Sequence, residues 1–349
     1  MANILVTGAT GFIGAHLVKY LAKQSDDEIY GLCRSLKNES TFKALNLNRL
    51  KNVNLLFGNI NSRSIIDEFF VRYNIDKVYH LAAQPIVQTA AKTPVSTMDT
   101  NAFGTLNLLE IIRIIKATTN KDIPTYIMST DKAYGTHNKL PYTENFALNG
   151  IDIYSASKVC EDTIARSYAF NYDLSIVIGR PCNIYGEFDF NWSRLIPTLA
   201  KTCLEPNNKD DIILNEGSYK HVREYMYVKD AVVAIKMLID NIDKTKGEAF
   251  NISPGITYTT EEAVQMFLAL SKTNKEIKFK RKDKTFKEIN KQCLDSSKLK
   301  NMTGWSVKYE LFSGLQVTTS EYKRWFEDDD LLNSCTSHRA NTELCGRKH

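Results

Sequence analysis

The chain has 349 residues, 43% of them hydrophobic and 24% charged, a globular composition that excludes bulk disorder and leaves room for a core shared by two lobes. Its net charge of +5 is too small for this length to mark a nucleic-acid binder, no apolar run approaches the ~18 residues of a membrane span, and the start MANILVTGAT has no secretory pattern. Cys33, Cys160, Cys182, Cys203, Cys293, Cys335 and Cys345 show no CxxC spacing, which excludes a zinc site or disulfide framework and predicts a cytoplasmic protein with no metal.

In chain order, the first predicted strand is Asn3–Thr7, followed by a glycine loop and a helix over Phe12–Lys23. A second strand, Glu28–Cys33, runs into Arg34 and Ser35, and a third, Val53–Phe57, into Gly58, Asn59 and Ile60. A helix is predicted over Ser62–Tyr73, a strand over Lys77–Leu81, a helix over Asn101–Lys116 and a strand over Thr125–Ser129. The half closes with a helix over Ser155–Asn171 and a strand over Leu174–Gly179. Strand and helix alternate, and VYHLAA and SIVIGR are nearly continuous in apolar residues. Both signs predict an α/β fold with a Rossmann-type, doubly wound parallel sheet. After Arg180 the alternation breaks. We expect a dinucleotide-binding domain over 1–180, with a strand returning near 249–254. A smaller mixed α/β substrate-binding lobe follows over 181–327, with helices at Val228–Asp240 and Thr260–Leu270, and then an irregular tail over 328–349. The lysine-rich stretch Lys272–Lys291 also carries acids and reads as a solvated face.

The glycines Gly8, Gly11 and Gly14 sit directly between a strand and a helix. There they permit a tight turn and a close approach of backbone to a pyrophosphate, with the free N–H groups of the helix N-terminus facing it. The rest of the loop (Thr10, Phe12, Ile13), the third-strand exit (Asn59, Ile60) and the fourth-strand exit (Leu81, Ala82, Ala83) belong to the same expected cofactor site. An acid at the end of the second strand would hold a ribose hydroxyl. The chain has Arg34 there, which predicts NADP first and NAD second. Tyr154 and Lys158 form a YxxxK pair on one helix face, where an ammonium favours the phenolate of a tyrosine acid/base. His80 and the alternating Tyr225 and Tyr227 read as core residues.

TGATGFIG, HLAAQ (80–84), STDKAYG (129–135), YSASK (154–158) and RPCNIYG (180–186) together resemble the extended short-chain dehydrogenase/reductase family. HLAAQPIVQ and STDKAYG are most similar to its CDP-glucose 4,6-dehydratase-like nucleotide-sugar dehydratases. The resemblance implies that Tyr154 takes the proton of a sugar 4-hydroxyl held by Thr130, while Lys158 holds the nicotinamide ribose. It also implies that Asp131, protonated, is the acid and Lys132, neutral, the base of an elimination between C5 and C6. Gln84, Asn183, Arg194 and Arg223 would bind the substrate, a nucleotide-diphosphate hexose, around a tightly bound, recycled cofactor. A homodimer through the helices at 101–116 and 155–171 is implied too. The alternatives are a 4-epimerase or 4-keto reductase of the same family and, outside it, a non-catalytic dinucleotide-binding or RNA-binding protein.

Overall fold

The computed structural model describes residues 1–215, 217–280 and 289–328; most of the expected tail and part of the lysine-rich stretch lie outside them. The strands are β1 (Asn3–Thr7), β2 (Glu28–Cys33), β3 (Val53–Phe57), β4 (Lys77–His80), β5 (Thr125–Met128), β6 (Ile176–Pro181), β7 (Asn183–Tyr185), β8 (Ile212–Asn215), β9 (Val222–Tyr227), β10 (Ala249–Ile252), β11 (Thr257–Thr259) and β12 (Ile277–Lys280). Seven of them form one sheet in the order β10-β6-β5-β4-β1-β2-β3, with every pairing parallel. This is the Rossmann α/β arrangement. The strand order reverses between β1 and β4, which opens a crevice at the carboxyl ends of those strands.

β5 and β6 are buried along their whole length, as strands covered by helices on both faces must be. β6 starts two residues later than its apolar run. The preceding helix, Ile153–Tyr172, is capped by Asp173 in the left-handed conformation (φ 54°), so Leu174 is spent on the turn back into the sheet. Beyond β6 lie two small sheets. β9 pairs in parallel with β7 and antiparallel with β11, and β12 pairs in parallel with β8. One apolar cluster runs from Val6 and Leu17 of the glycine-loop end through Tyr227 and Phe267 to Trp325, so the second lobe packs on the sheet through a shared core.

Arg180 ties this junction together. It is 1% exposed and forks onto Asp162 with two 2.8 Å bonds, while its third nitrogen donates to the Tyr134 hydroxyl at 2.9 Å. Tyr134 in turn donates to Asn251 of β10 at 2.7 Å. A buried guanidinium with planar, bidentate pairing and a hydrogen-bond partner on each of its nitrogens meets the condition under which a buried ion pair is tolerated. Among the described residues, no helix is long and apolar enough to cross a membrane.

Candidate active site

A cleft of about 1590 Å³ runs along the carboxyl ends of the large sheet and on into the second lobe. At its dinucleotide end, Gly8 (φ 70°) takes a left-handed turn, and a Cβ on it would lie 2.9 Å from the backbone of Leu81 and Ala82. A Cβ on Gly14 would lie 2.2 Å from the Gly8 carbonyl oxygen. The helix Phe12–Gln24 therefore begins in contact with the strand that feeds it. Gly11, its N-cap, supplies no capping side chain, so the amides of the first turn face the cleft as an anion cradle. These residues fit the pyrophosphate of a dinucleotide. Arg34, Asn59, Ile60, Leu81, Ala82 and Ala83 line the same end, together with Thr10, Gly11, Phe12 and Ile13.

The β4 exit is held from below. The Thr7 hydroxyl accepts the amides of Leu81 (3.1 Å) and Ala82 (3.0 Å), so its own proton goes to His80 Nδ1 at 2.8 Å. The other ring nitrogen then donates to Thr105 Oγ1 at 3.0 Å, and Thr105 donates to the Asn101 carbonyl at 2.7 Å. Burial, with Lys158 nearby, pushes His80 down to about 3; the histidine is a neutral core group with both nitrogens satisfied. Asn101 belongs to a wide five-residue π turn, Asp99–Phe103, that opens the helix Gly104–Thr119. Its amide bridges Gln84, whose backbone N–H it accepts at 2.7 Å, and Ser157 of the Tyr154 helix, to which it donates at 2.8 Å. A π turn in this position aims one side chain at the functional strand ends.

Tyr154 and Lys158 lie on the helix Ile153–Tyr172, whose N-cap Asp152 accepts the Ser155 amide at 3.1 Å. Thr130, Asp131 and Lys132 follow β5. Thr130 donates to Asp131 Oδ1 at 3.1 Å and accepts the Lys132 amide at 3.3 Å, opening a short 3₁₀ turn. Asp131 is 2% exposed, yet all five residues line the cleft together. Lys158 Nζ donates to the Met128 carbonyl at 2.8 Å and stands 2.6 Å from Glu161 Oε2. Behind Asp131, burial is the main cause that pushes Glu224 up to about 7, against hydrogen bonds from Ser253 and Leu294.

Across the cleft, Asn183, Arg194 and Arg223 line the wall contributed by the second lobe. Arg194 pairs with Asp189 at 3.2 Å. Arg223 donates to the carbonyls of Val222, Ile289 and Asn290. Gln84 is placed elsewhere: its amide is closed onto Ile86, donating at 2.9 Å and accepting at 2.7 Å, and it does not line the cleft. Asn101, Glu161 and Glu224 are the residues near the site that motif spacing passed over. Glu161 was the most accessible of the three, three residues from Lys158 and so on the same helix face.

Residues 5–318 match the family described as GDP-mannose 4,6 dehydratase. The chain is 27% identical to the dTDP-glucose 4,6-dehydratase of Haemophilus influenzae over 97% of its own length and 100% of that protein's. The structure of a Bacillus anthracis dTDP-glucose 4,6-dehydratase in complex with NAD superposes with a TM-score of 0.81 at 26% identity, covering 95% of this chain and 100% of that one. The UDP-glucose 4-epimerase of Thermotoga maritima, solved with UDP-glucose, gives 0.80 at 27% identity, over 92% and 99%.

Proposed function

The chain belongs to the GDP-mannose 4,6 dehydratase family, and from that premise we propose that it is an NAD(P)-dependent nucleotide-sugar 4,6-dehydratase, converting an NDP-hexose into the 4-keto-6-deoxy sugar with loss of one water. The observation that carries the reading is the presence of Asp131 and Lys132 beside Thr130, Tyr154 and Lys158 in one cleft. An epimerase needs only the last three. Two further titratable groups are what an elimination requires.

The bound cofactor supplies the acceptor for the C4 hydride and its return to C6. The chain's residues handle protons. Tyr154, as phenolate, takes the 4-hydroxyl proton while Thr130 orients that oxygen. With C4 a ketone, the C5 proton is acidic, and the neutral Lys132 amine removes it. Asp131 gives its proton to the departing C6 oxygen. Lys132 then returns its proton to C5, and the proton held by Tyr154 makes up the one that Asp131 gave. The sugar has lost one hydrogen and one hydroxyl, which is water.

We assign NADP on Arg34 and Ser35 at the end of β2, where no acid stands to claim a ribose hydroxyl and where Lys37 also lines the cleft. Glu39, further along, accepts the Trp192 indole N–H at 3.4 Å. Phe103 and Phe170 are exposed at the ends of the two long helices, Gly104–Thr119 and Ile153–Tyr172, and a homodimer would cover that face. The free cysteines, Cys33 and Cys182 buried among them, suit a reducing cytoplasm.

The test is a panel of CDP-, GDP-, UDP- and dTDP-hexoses, run with NADP⁺ and with NAD⁺ and read by mass spectrometry. One substrate should lose one water without net consumption of cofactor. Tyr154→Phe should lower that rate by roughly 10²–10⁴-fold. Lys132→Ala should still reduce the cofactor once but form no deoxy product. An unchanged mass with inversion at C4 would instead make the enzyme an epimerase.

A further inference from the structure

Two adjacent carboxylates, Glu161 and Asp162, are buried in the helix Ile153–Tyr172. They are used in opposite ways. Both oxygens of Asp162 accept from Arg180 at 2.8 Å. Glu161 has no such donor. Its Oε2 makes a 2.6 Å ion pair with Lys158 Nζ, and its Oε1 meets no donor. A carboxylate is a costly group to bury, and costlier when unsatisfied. The cation it touches is the lysine of the YxxxK pair, which faces the cleft on its other side.

The groups around Glu161 leave that lysine as its sole counter-charge among the described residues. From its own helix come Lys158 and Asp162, and Asp162 is already neutralised by Arg180 of β6. β5 presents the phenol of Tyr126, whose ionisation burial and Glu161 push up, so it stays neutral. His80 of β4 feels the charge of Lys158 and is itself neutral.

We propose that Glu161 is a positioning residue that sets the working pH of Tyr154 through Lys158. The lysine assists Tyr154 by its positive charge, which stabilises the phenolate. An ionised Glu161 cancels that charge, and a protonated Glu161 releases it. Phenolate and carboxylate therefore compete for one ammonium. Burial pushes Glu161 up to about 7, so the competition falls at neutral pH, where a proton leaving Tyr154 can be matched by one arriving at Glu161.

The proposal rests on the dehydratase reading only in giving Tyr154 its task, and the experiment separates the two. The Tyr154 phenol is titrated by ultraviolet difference in the cofactor-loaded protein, with the Tyr154→Phe profile subtracted; no sugar is needed. The pH profile of cofactor reduction in a single turnover with the sugar is measured alongside. In Glu161→Gln, which keeps the shape and removes the charge, the phenol titration and the acid limb of the reduction rate should both move down by about one pH unit. The rate on that limb should rise about tenfold. Glu161→Asp, which keeps a carboxylate, should stay near the wild-type limb. If Glu161→Gln does not fold, Glu161→Ser makes the same charge removal. Superimposable titrations of the wild type and a folded, cofactor-binding neutral variant would overturn the proposal. So would a loss of cofactor affinity with the phenol titration unmoved. If no sugar reduces the cofactor in any variant, the dehydratase reading fails, while the phenol titration still decides the role of Glu161.

Discussion

The two ends of the cleft are made of different material. At the dinucleotide end the walls are main chain: the Gly8 turn, the uncapped first turn of the helix after Gly11, and the Leu81–Ala82 backbone hung on Thr7. At the far end they are charged side chains on separate segments: Arg194 paired with Asp189, and Arg223 clamped on the carbonyls of the 289–290 segment. The glycine-loop part of that site, Gly8 to Gly14, is local in sequence and can recognise a group that NAD and NADP share, the pyrophosphate. A side-chain site is gathered from distant segments and can be altered residue by residue without touching the sheet. The residues of the proposed chemistry line the cleft between them, on the β5 exit and the Tyr154 helix.

The first prediction breaks the dinucleotide end. Gly14→Ala would put a methyl group 2.2 Å from the Gly8 carbonyl oxygen, with the Ala9 Cα at 3.1 Å. Neither is the movable tip of a side chain, so the helix must shift away from β1. Overpacking of this kind costs about 1–3 kcal/mol. Displacement of the anion cradle should weaken NADP⁺ binding by roughly ten- to a hundredfold, measured by calorimetry on the apoprotein. Substrate binding in the second lobe should change far less. An alanine variant that binds cofactor normally would show that the loop is not the cradle.

A smaller effect sharpens the opposite end. Arg194→Ala removes a cleft-lining guanidinium and leaves Asp189, whose pKa burial pushes up, without its partner. A charge-assisted bond to a substrate phosphate is worth about 1.5–3 kcal/mol. The sugar-nucleotide KM should therefore rise by about tenfold or more, with NADP⁺ affinity unchanged. Equal losses on both ligands would mean that Arg194 acts through the Asp189 loop rather than on the substrate.

The contrast also explains what was legible in the sequence. The glycine loop, the doubly covered strands and the YxxxK pair each depend on a few neighbouring residues, and their spacing is their geometry. Whether Gln84 faces the cleft or closes on Ile86 depends on how the loop after β4 meets Asn101 across a π turn, and periodicity carries no trace of that turn. The short strands β7, β8, β11 and β12 have three or four residues each. Such segments are too brief for an alternation to register, so the second lobe could be located but not drawn. Glu161 stayed hidden for another reason. A charged residue in an amphipathic helix is ordinarily assigned to the solvent face, and only the depth of this helix between the sheet and its neighbours reverses that assignment.

The smallest effect concerns the strand end that joins the two halves. His80 in the folded chain is pushed down to about 3 by burial, chiefly, and by Lys158. In the unfolded chain it titrates near the ordinary histidine value, about 6.5. Between those values the unfolded state binds a proton that the folded state refuses. The stability contributed by the neutral ring is thus fully present above pH 6.5 and is lost as pH falls towards 3. The slope from this one group is about 1.4 kcal/mol per pH unit. His16, also pushed down by burial, adds to the acid sensitivity in the same direction. Denaturant unfolding at pH 7 and pH 5.5 should therefore show a loss of stability, and His80→Gln should remove about one proton's worth of that slope. The amide can still accept from Thr7 and donate to Thr105, so its cost at pH 7 should be small beside the gain in acid tolerance. An unchanged slope would mean that His80 takes up its proton in the folded protein. Thr7 would then lose the acceptor for its hydroxyl proton, and with it the arrangement that holds the Leu81 and Ala82 amides at the edge of the cradle.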